Sequence, residues 1–200
     1  MIDLNQKNET FVKKSSRNNS KLYLVNNLND LLSSKLFSEK QLKSFKTNYK
    51  FNSNKPIINL LDFDQKNLNT IAYLNPNKNF RESTIDQAAK ICNLLEDRVW
   101  DLNVLSQYNE NDIYEFLLGW GLSFYKFNVL KENNVKKYLN ILSLNNKYKN
   151  LVDPCSIELN GINLARDLIN LPANYLNPDQ YEIEIKKNFK GLKCIVHKGR

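Results

Sequence analysis

The residues able to do chemistry in this sequence are few and widely spaced. There are three cysteines, Cys92, Cys155 and Cys194, and a single histidine, His197. The odd cysteine count and the lack of any C-x-x-C pair argue against a disulfide framework or a zinc knuckle. A catalytic or metal-binding histidine needs Cys, Asp or Glu partners at ligand spacing. His197 instead stands beside Lys198 at the end of an expected strand, and we read it as a surface residue. Cys194, next to Ile195 in that strand, reads as a core or surface thiol and not as a nucleophile. Asp62 and Asp64 follow another expected strand, at the end where α/β sheets take ligands, so they could make a site. Lys66 close by favours a solvated loop.

Arg166 and Asp167 are adjacent, so on a helix they point about 100° apart and cannot simply pair with each other. They either brace an active-site face or a subunit contact, or Arg166 pins a loop carbonyl while Asp167 caps or pairs locally. The second reading is preferred. Asn170, Pro172 and Asn174 shape a turn, because Asn side chains bond nearby backbone and proline fixes φ. Trp100 and Trp120 read as core.

Two further classes of chemistry are disfavoured. A phosphate cradle needs glycines so that backbone N–H groups can approach the anion. Only five glycines occur, and none forms a G-x-G-x-x-G loop after a strand. The formal net charge is +8, which raises the expectation of nucleic-acid contact. The lysines are scattered, however, as at Lys13-Lys14, Lys136-Lys137 and Lys186-Lys187, and a solvated basic surface is the simpler reading.

Hydrophobic residues at 42% and charged residues at 25% place the chain in the globular range. The opening MIDLNQKNET has no apolar core, so no signal peptide is expected. No apolar run reaches the 18 or so residues of a membrane span. The expected compartment is the cytoplasm.

The elements that must position these residues are as follows. KLYLV (21–25) is a β-prone run. Leu28, Leu31, Leu32, Leu36, Leu42 and Phe45 recur at roughly helical spacing, and Ser38 with Gln41 marks a second helix start. IINLLD (57–62) and TIAYL (70–74) read as strands apolar on both faces, which favours α/β layers. Ser83 and Asp86 cap a helix whose inner face is Ile85, Ala88, Ala89, Cys92, Leu95 and Val99. Asn111-Asp112 opens the next, with Ile113, Phe116, Leu117, Trp120, Phe124 and Phe127 on one stripe. Gly119 and Gly121 lie inside it, each costing about 1 kcal/mol relative to Ala. Two such costs in one helix predict the close approach of another backbone. KKYLNILSL (136–144) is a further strand candidate, and a boundary is placed near 150. Residues 156–171 form a helix with Ile157, Ile162, Ala165, Leu168 and Ile169 toward the core, stopped at Leu171-Pro172. Asn177, Pro178 and Asp179 start another, which runs to about 189 with Gly191 beyond its end. LKCIVH (192–197) is the last expected strand. The tail from 155 onward is expected to expose an apolar helix face and to pack poorly.

The segment from Gly161 to Pro178 closely resembles the leucine aminopeptidase family of two-metal exopeptidases. Ala165, Arg166, Asp167, Leu168, Asn170, Pro172, Asn174 and Pro178 match the family's A-R-D-L-x-N-x-P-x-N helix end and following proline. The segment Leu118–Phe127 is similar to the family helix with a glycine and an aromatic-basic-Phe ending. The resemblance implies an α/β fold: a macro-domain-like N-terminal domain over 1–150, with a central mixed sheet flanked by helices. The first helices and strand of a second, catalytic α/β domain would then occupy 151–200. It also implies removal of leucine-like N-terminal residues from peptides, two zinc or manganese ions that activate a bridging water, and a homo-hexamer. The family's metal-binding K-G-x-x-F-D-x-G-G and N-T-D-A-E-G-R segments do not occur. Catalytic and metal residues are therefore expected beyond Arg200, with none in this chain. Arg166, Asp167, Asn170, Pro172, Asn174 and Pro178 remain as structural motif residues. The alternative is a non-enzymatic module binding ADP-ribose or nucleic acid on a macro-like domain.

Overall fold

The computed structural model describes residues 10–13, 19–38, 56–61, 68–76, 82–127 and 137–197. Asp62, Asp64, Lys66 and the helix expected from Ser38 onward lie outside the described residues, wholly or nearly so.

One six-stranded sheet organises the chain. Its strands are β1 (Phe11–Val12), β2 (Ser20–Val25), β3 (Ile57–Leu61), β4 (Leu68–Tyr73), β5 (Val99–Val104) and β6 (Tyr138–Asn140), in the order β1-β6-β5-β2-β4-β3. Every neighbouring pair is parallel except β3 and β4, so the sheet is mixed. The helices are α1 (Leu28–Ser33), α2 (Thr84–Leu94), α3 (Glu110–Phe124), α4 (Asn146–Lys149), α5 (Val152–Asn170) and α6 (Pro178–Asn188). This is the α/β fold expected from the strand and helix order.

Strand β2 shows how the sheet divides the core. Successive side chains of a strand point to opposite faces. Leu22 and Leu24 join Trp100, Leu102, Leu139 and the inner sides of α2, α3 and α5 in the larger cluster. Tyr23 and Val25 join Ile58, Ile71 and Leu31 of α1 in the smaller one. Trp100 and Trp120 are both fully buried, as read from the sequence.

Helix starts follow local chemistry. At α2, the Asp86 amide donates to Ser83 Oγ at 3.1 Å, and the Ser83 amide donates to Asp86 Oδ2 at 3.3 Å. This reciprocal box satisfies two orphan donors of the first turn. The same box at α3 uses Asn109 and Asp112, so the cap is Asn109 and not Asn111. Asn177 caps α6, with Pro178 in its first turn; both were read from the sequence.

Several expectations need correction. Val99 opens β5 and is not on the α2 face; the alternating burial of β5, with Trp100, Leu102 and Val104 inward, marks a strand. The strand expected over 136–144 is Tyr138–Asn140 only. Residues 192–197 form no strand and are exposed; a strand needs a neighbour for its backbone groups, and none of the described strands pairs with this segment. His197 and Cys194 are therefore exposed chain and not strand residues. In α5 the buried residues are Val152, Cys155, Leu159 and Asn163, whereas Ile157 and Ile169 are 73% and 82% exposed. Of the face expected from periodicity, Ile162 does pack against the core, but the buried side is turned toward Val152, Cys155 and Leu159. The first half of α5 is accordingly well packed, against the poor packing expected from 155 onward, whereas the apolar exposure expected there is present at Ile157 and Ile169.

Candidate functional site: a polar clasp between two helix ends

The two sequence segments singled out above meet in space. Helix α3 runs down the larger core and ends at Phe124, with Tyr125 as its C-cap outside the helical conformation, at φ −58° and ψ 130°. Its two interior glycines explain how α3 fits. A Cβ on Gly119 would sit on the carbonyl oxygen of Ile85 and 2.9 Å from Ala88 Cβ, both in α2. A Cβ on Gly121 would run into the methyls of Leu159 in α5, with Cδ2 at 2.7 Å. The close backbone approach predicted from the paired glycines occurs at Gly119. At Gly121 the neighbour is a side chain.

Gly121 and Leu159 thus bring α5 onto α3, and the later turns of α5 meet the α3 terminus. The Tyr125 hydroxyl donates to Asp167 Oδ1 at 2.7 Å and accepts from Asn170 Nδ2 at 3.2 Å. Arg166 Nη1 donates to the Leu122 carbonyl at 3.1 Å, and its guanidinium lies 5.2 Å from the Tyr125 ring centre. Leu122 is in the last turn of α3, where carbonyls lack intrahelical donors and the dipole favours a cation. The guanidinium also gains from the ring face. Burial raises the Asp167 carboxyl above its ordinary value, and the Tyr125 hydrogen bond opposes that shift. Burial raises the Tyr125 phenol, and the bond to Asp167 raises it further.

Each motif residue therefore has a place. Arg166 holds a helix-end carbonyl, which is the architectural reading preferred from the sequence. Asp167 pairs across to another helix and not within its own. Asn170 joins the same hydroxyl. Pro172 begins a turn in which its carbonyl accepts from the amides of Tyr175 and Leu176 at 2.9 and 3.0 Å. Asn174 is exposed in that turn, and Pro178 opens α6. Tyr125 is the residue whose role the sequence did not reveal. Only its neighbour in space, 42 positions on, gives the hydroxyl a purpose.

The strand ends offer a second place to look, since open α/β sheets take ligands where connections leave a central strand in opposite directions. Here that point lies beyond β2 and β5. It is closed by internal bonds: the Asn26 amide donates to Ser106 Oγ at 2.8 Å, and the Tyr108 hydroxyl donates to the Leu74 carbonyl at 3.1 Å. Ser106 and Tyr108 are buried, and burial pushes the Tyr108 phenol up. Gln87 fills the β4 end, accepting from the Asn75 amide and donating to its carbonyl. These polar groups are used within the protein, so nothing here favours the binding-module reading.

Among the described residues no three of His, Cys, Asp and Glu come together closely enough to hold a metal ion. The described residues therefore do not fit a two-metal centre. Nor is any described helix long and apolar enough to cross a membrane.

The arrangement is that of an α/β fold found in aminopeptidases. The cytosol aminopeptidase of Coxiella burnetii shares it with a TM-score of 0.65 at 18% identity, over 90% of this chain and 38% of that one. A single-residue mutant of tomato leucine aminopeptidase gives 0.62 at 16% identity, over 89% and 41%. The bottromycin maturation enzyme BotP, in complex with Mn, gives 0.60 at 14%, over 85% and 36%. The chain thus spans about two fifths of the length of the structures it matches. No protein-family model and no curated protein matches the chain by sequence.

Proposed function

We propose that these residues are the leading scaffold of a metal-dependent aminopeptidase that removes leucine-like residues from peptide N-termini. The observation that carries the reading is a convergence. The two segments whose residues resemble leucine aminopeptidases, 118–127 and 161–178, are joined at Tyr125 within a fold shared with such enzymes. The metal pair, manganese or zinc, is held by ligands outside the described residues, and the chemistry belongs to that other part. The chain's own task is to place α5 and the turn after it. We further propose a homo-hexamer in the cytoplasm, a compartment that suits three free thiols.

Hydrolysis of leucine p-nitroanilide tests the reading, with Mn²⁺ or Zn²⁺ supplied. The 200-residue chain is expected to show none, and the complete gene product to release p-nitroaniline in a metal-dependent way. A complete product inert with both metals sinks the aminopeptidase assignment. Metal-dependent turnover by the 200 residues alone sinks the assignment of the ligands elsewhere. Light scattering on the complete product checks the hexamer.

A further inference from the structure

Helix α5 is fastened to the body of the protein in two different ways along its length. Its buried apolar side chains, Val152, Cys155 and Leu159, all lie in the first half. The second half contributes no fully buried apolar side chain; next to Gly161, Ile162 packs half-buried against the larger core, and Asn163 is the one buried residue. Beyond Asn163 the helix is tied to the end of α3 by polar contacts, Asp167 and Asn170 to the Tyr125 hydroxyl and Arg166 to the Leu122 carbonyl; Leu171, just past the helix, is buried but belongs to neither core cluster. Gly161 stands between the two halves. Unlike Gly119 and Gly121, it has no steric reason to be glycine, because a Cβ there would meet nothing within 4 Å. A mid-helix glycine without a packing duty is a place of backbone freedom. Near it, Asn163 Oδ1 is buried and has no hydrogen-bond partner among the described residues, which costs the closed arrangement some of its stability.

We infer that α5 is a jointed helix: an apolar anchor over 152–159, a joint at Gly161, and a releasable polar clasp of Tyr125 with Asp167, Asn170 and Arg166. The anchor stays on α3 when the clasp opens. The second half of α5 then swings about Gly161 and takes the Leu171-Pro172 corner and α6 with it. The clasp thereby sets where everything after Leu171 sits against the sheet. Hydrogen bonds of partly exposed groups are the weaker fastening and apolar burial the stronger one, so the two halves separate in stability. This inference does not depend on the aminopeptidase reading.

Amide hydrogen exchange on the 200-residue chain tests it, since exchange reports regional opening. Tyr125→Phe keeps the ring under Arg166 and removes the hydroxyl. It should speed exchange of amides 164–170 about fivefold, the change that matches a hydrogen bond of about 1 kcal/mol. Amides of 155–160, α2 and α3 should be unchanged. Gly161→Ala should slow the 162–170 amides about fivefold and cancel most of the increase when combined with Tyr125→Phe. Asn170→Ala, removing the other bond to the same hydroxyl, should give the same regional pattern at about twofold, and serves if Tyr125→Phe does not fold. An increase spread evenly over 152–170, or no effect of Gly161→Ala on the second half, would overturn the joint. No regional change with either clasp variant would overturn the clasp.

Discussion

Helices α3 and α5 both contain interior glycine, and they use it in opposite ways. In α3, Gly119 and Gly121 are buried because α2 and Leu159 occupy the space where side chains would be. In α5, Gly161 faces open space. The same residue type, with the same intrinsic helix cost of about 1 kcal/mol, is a packing requirement in one helix and an unfilled position in the other. Exposure follows the same division. The inner helices leave few large apolar side chains in water. The region after 155 exposes Ile157, Ile169, Leu192 and Ile195, each by two thirds or more. One part of the molecule is a finished core; the other presents apolar surface that its own described residues do not cover.

Substitution should separate the two cases. Gly119→Ala puts a methyl against the Ile85 backbone, which cannot rotate away, so α2 and α3 must part. A loss of about 3 kcal/mol is expected in urea unfolding, even after the gain in helix propensity. A variant as stable as the parent would break the comparison at its strongest point. Gly121→Ala meets only the end of the Leu159 side chain, which can turn, and about 1 to 2 kcal/mol is expected. The effect should vanish in a Leu159→Ala background, where the cavity accepts the methyl. Additive losses in that double-mutant cycle would show that the two residues do not press on each other. Gly161→Ala should raise stability by up to about 1 kcal/mol in the same unfolding assay, because helix propensity is gained and nothing is displaced.

The smallest expected effect is a pH dependence at the clasp. The Asp167 carboxyl is raised in the folded protein, by burial first and against the bond from Tyr125. The folded state therefore holds this proton more tightly than the unfolded chain, where the value is about 3.9. Stability from this group is fully present below that value and is lost as pH rises through the folded one. Asp167→Asn has no such proton, so its unfolding free energy should fall less over that window than that of the parent. Parallel profiles in urea titrations across pH would remove Asp167 from the account.

Much of the fold was legible because it rests on short-range chemistry. The Ser83–Asp86 box, the Asn177-Pro178 start and the stop at Leu171-Pro172 each depend on residues a few positions apart. Strand β5 escaped notice because Val99 extends the apolar spacing of α2 by one more turn. Only its partners β2 and β6, far off in the chain, commit it to the sheet. The buried face of α5 is only partly legible in the sequence, for a related reason. The helix is apolar on more than one side, with Val152, Cys155, Leu159 and Ile162 toward the core and Ile157 and Ile169 away from it. Periodicity alone does not choose among these sides, and the groove beside Gly121 selects the one that carries Leu159. The clasp was legible as residue types, since Arg166, Asp167, Asn170 and Tyr125 all lie in matched segments, but their mutual contacts were not.

By itself the sequence determined the α/β class, most helix starts and stops, and the two glycines that bring α3 close to its neighbours. These are local dihedral and capping preferences, and they act whatever lies nearby. Only the tertiary structure decided which side of α5 is buried, that residues 192–197 stay unpaired among the described strands, and that one tyrosine hydroxyl joins two distant segments. Those outcomes depend on which surfaces meet across tens of residues. Such a meeting is set by competing burial and hydrogen bonding over the whole chain, and no short window of sequence contains that competition.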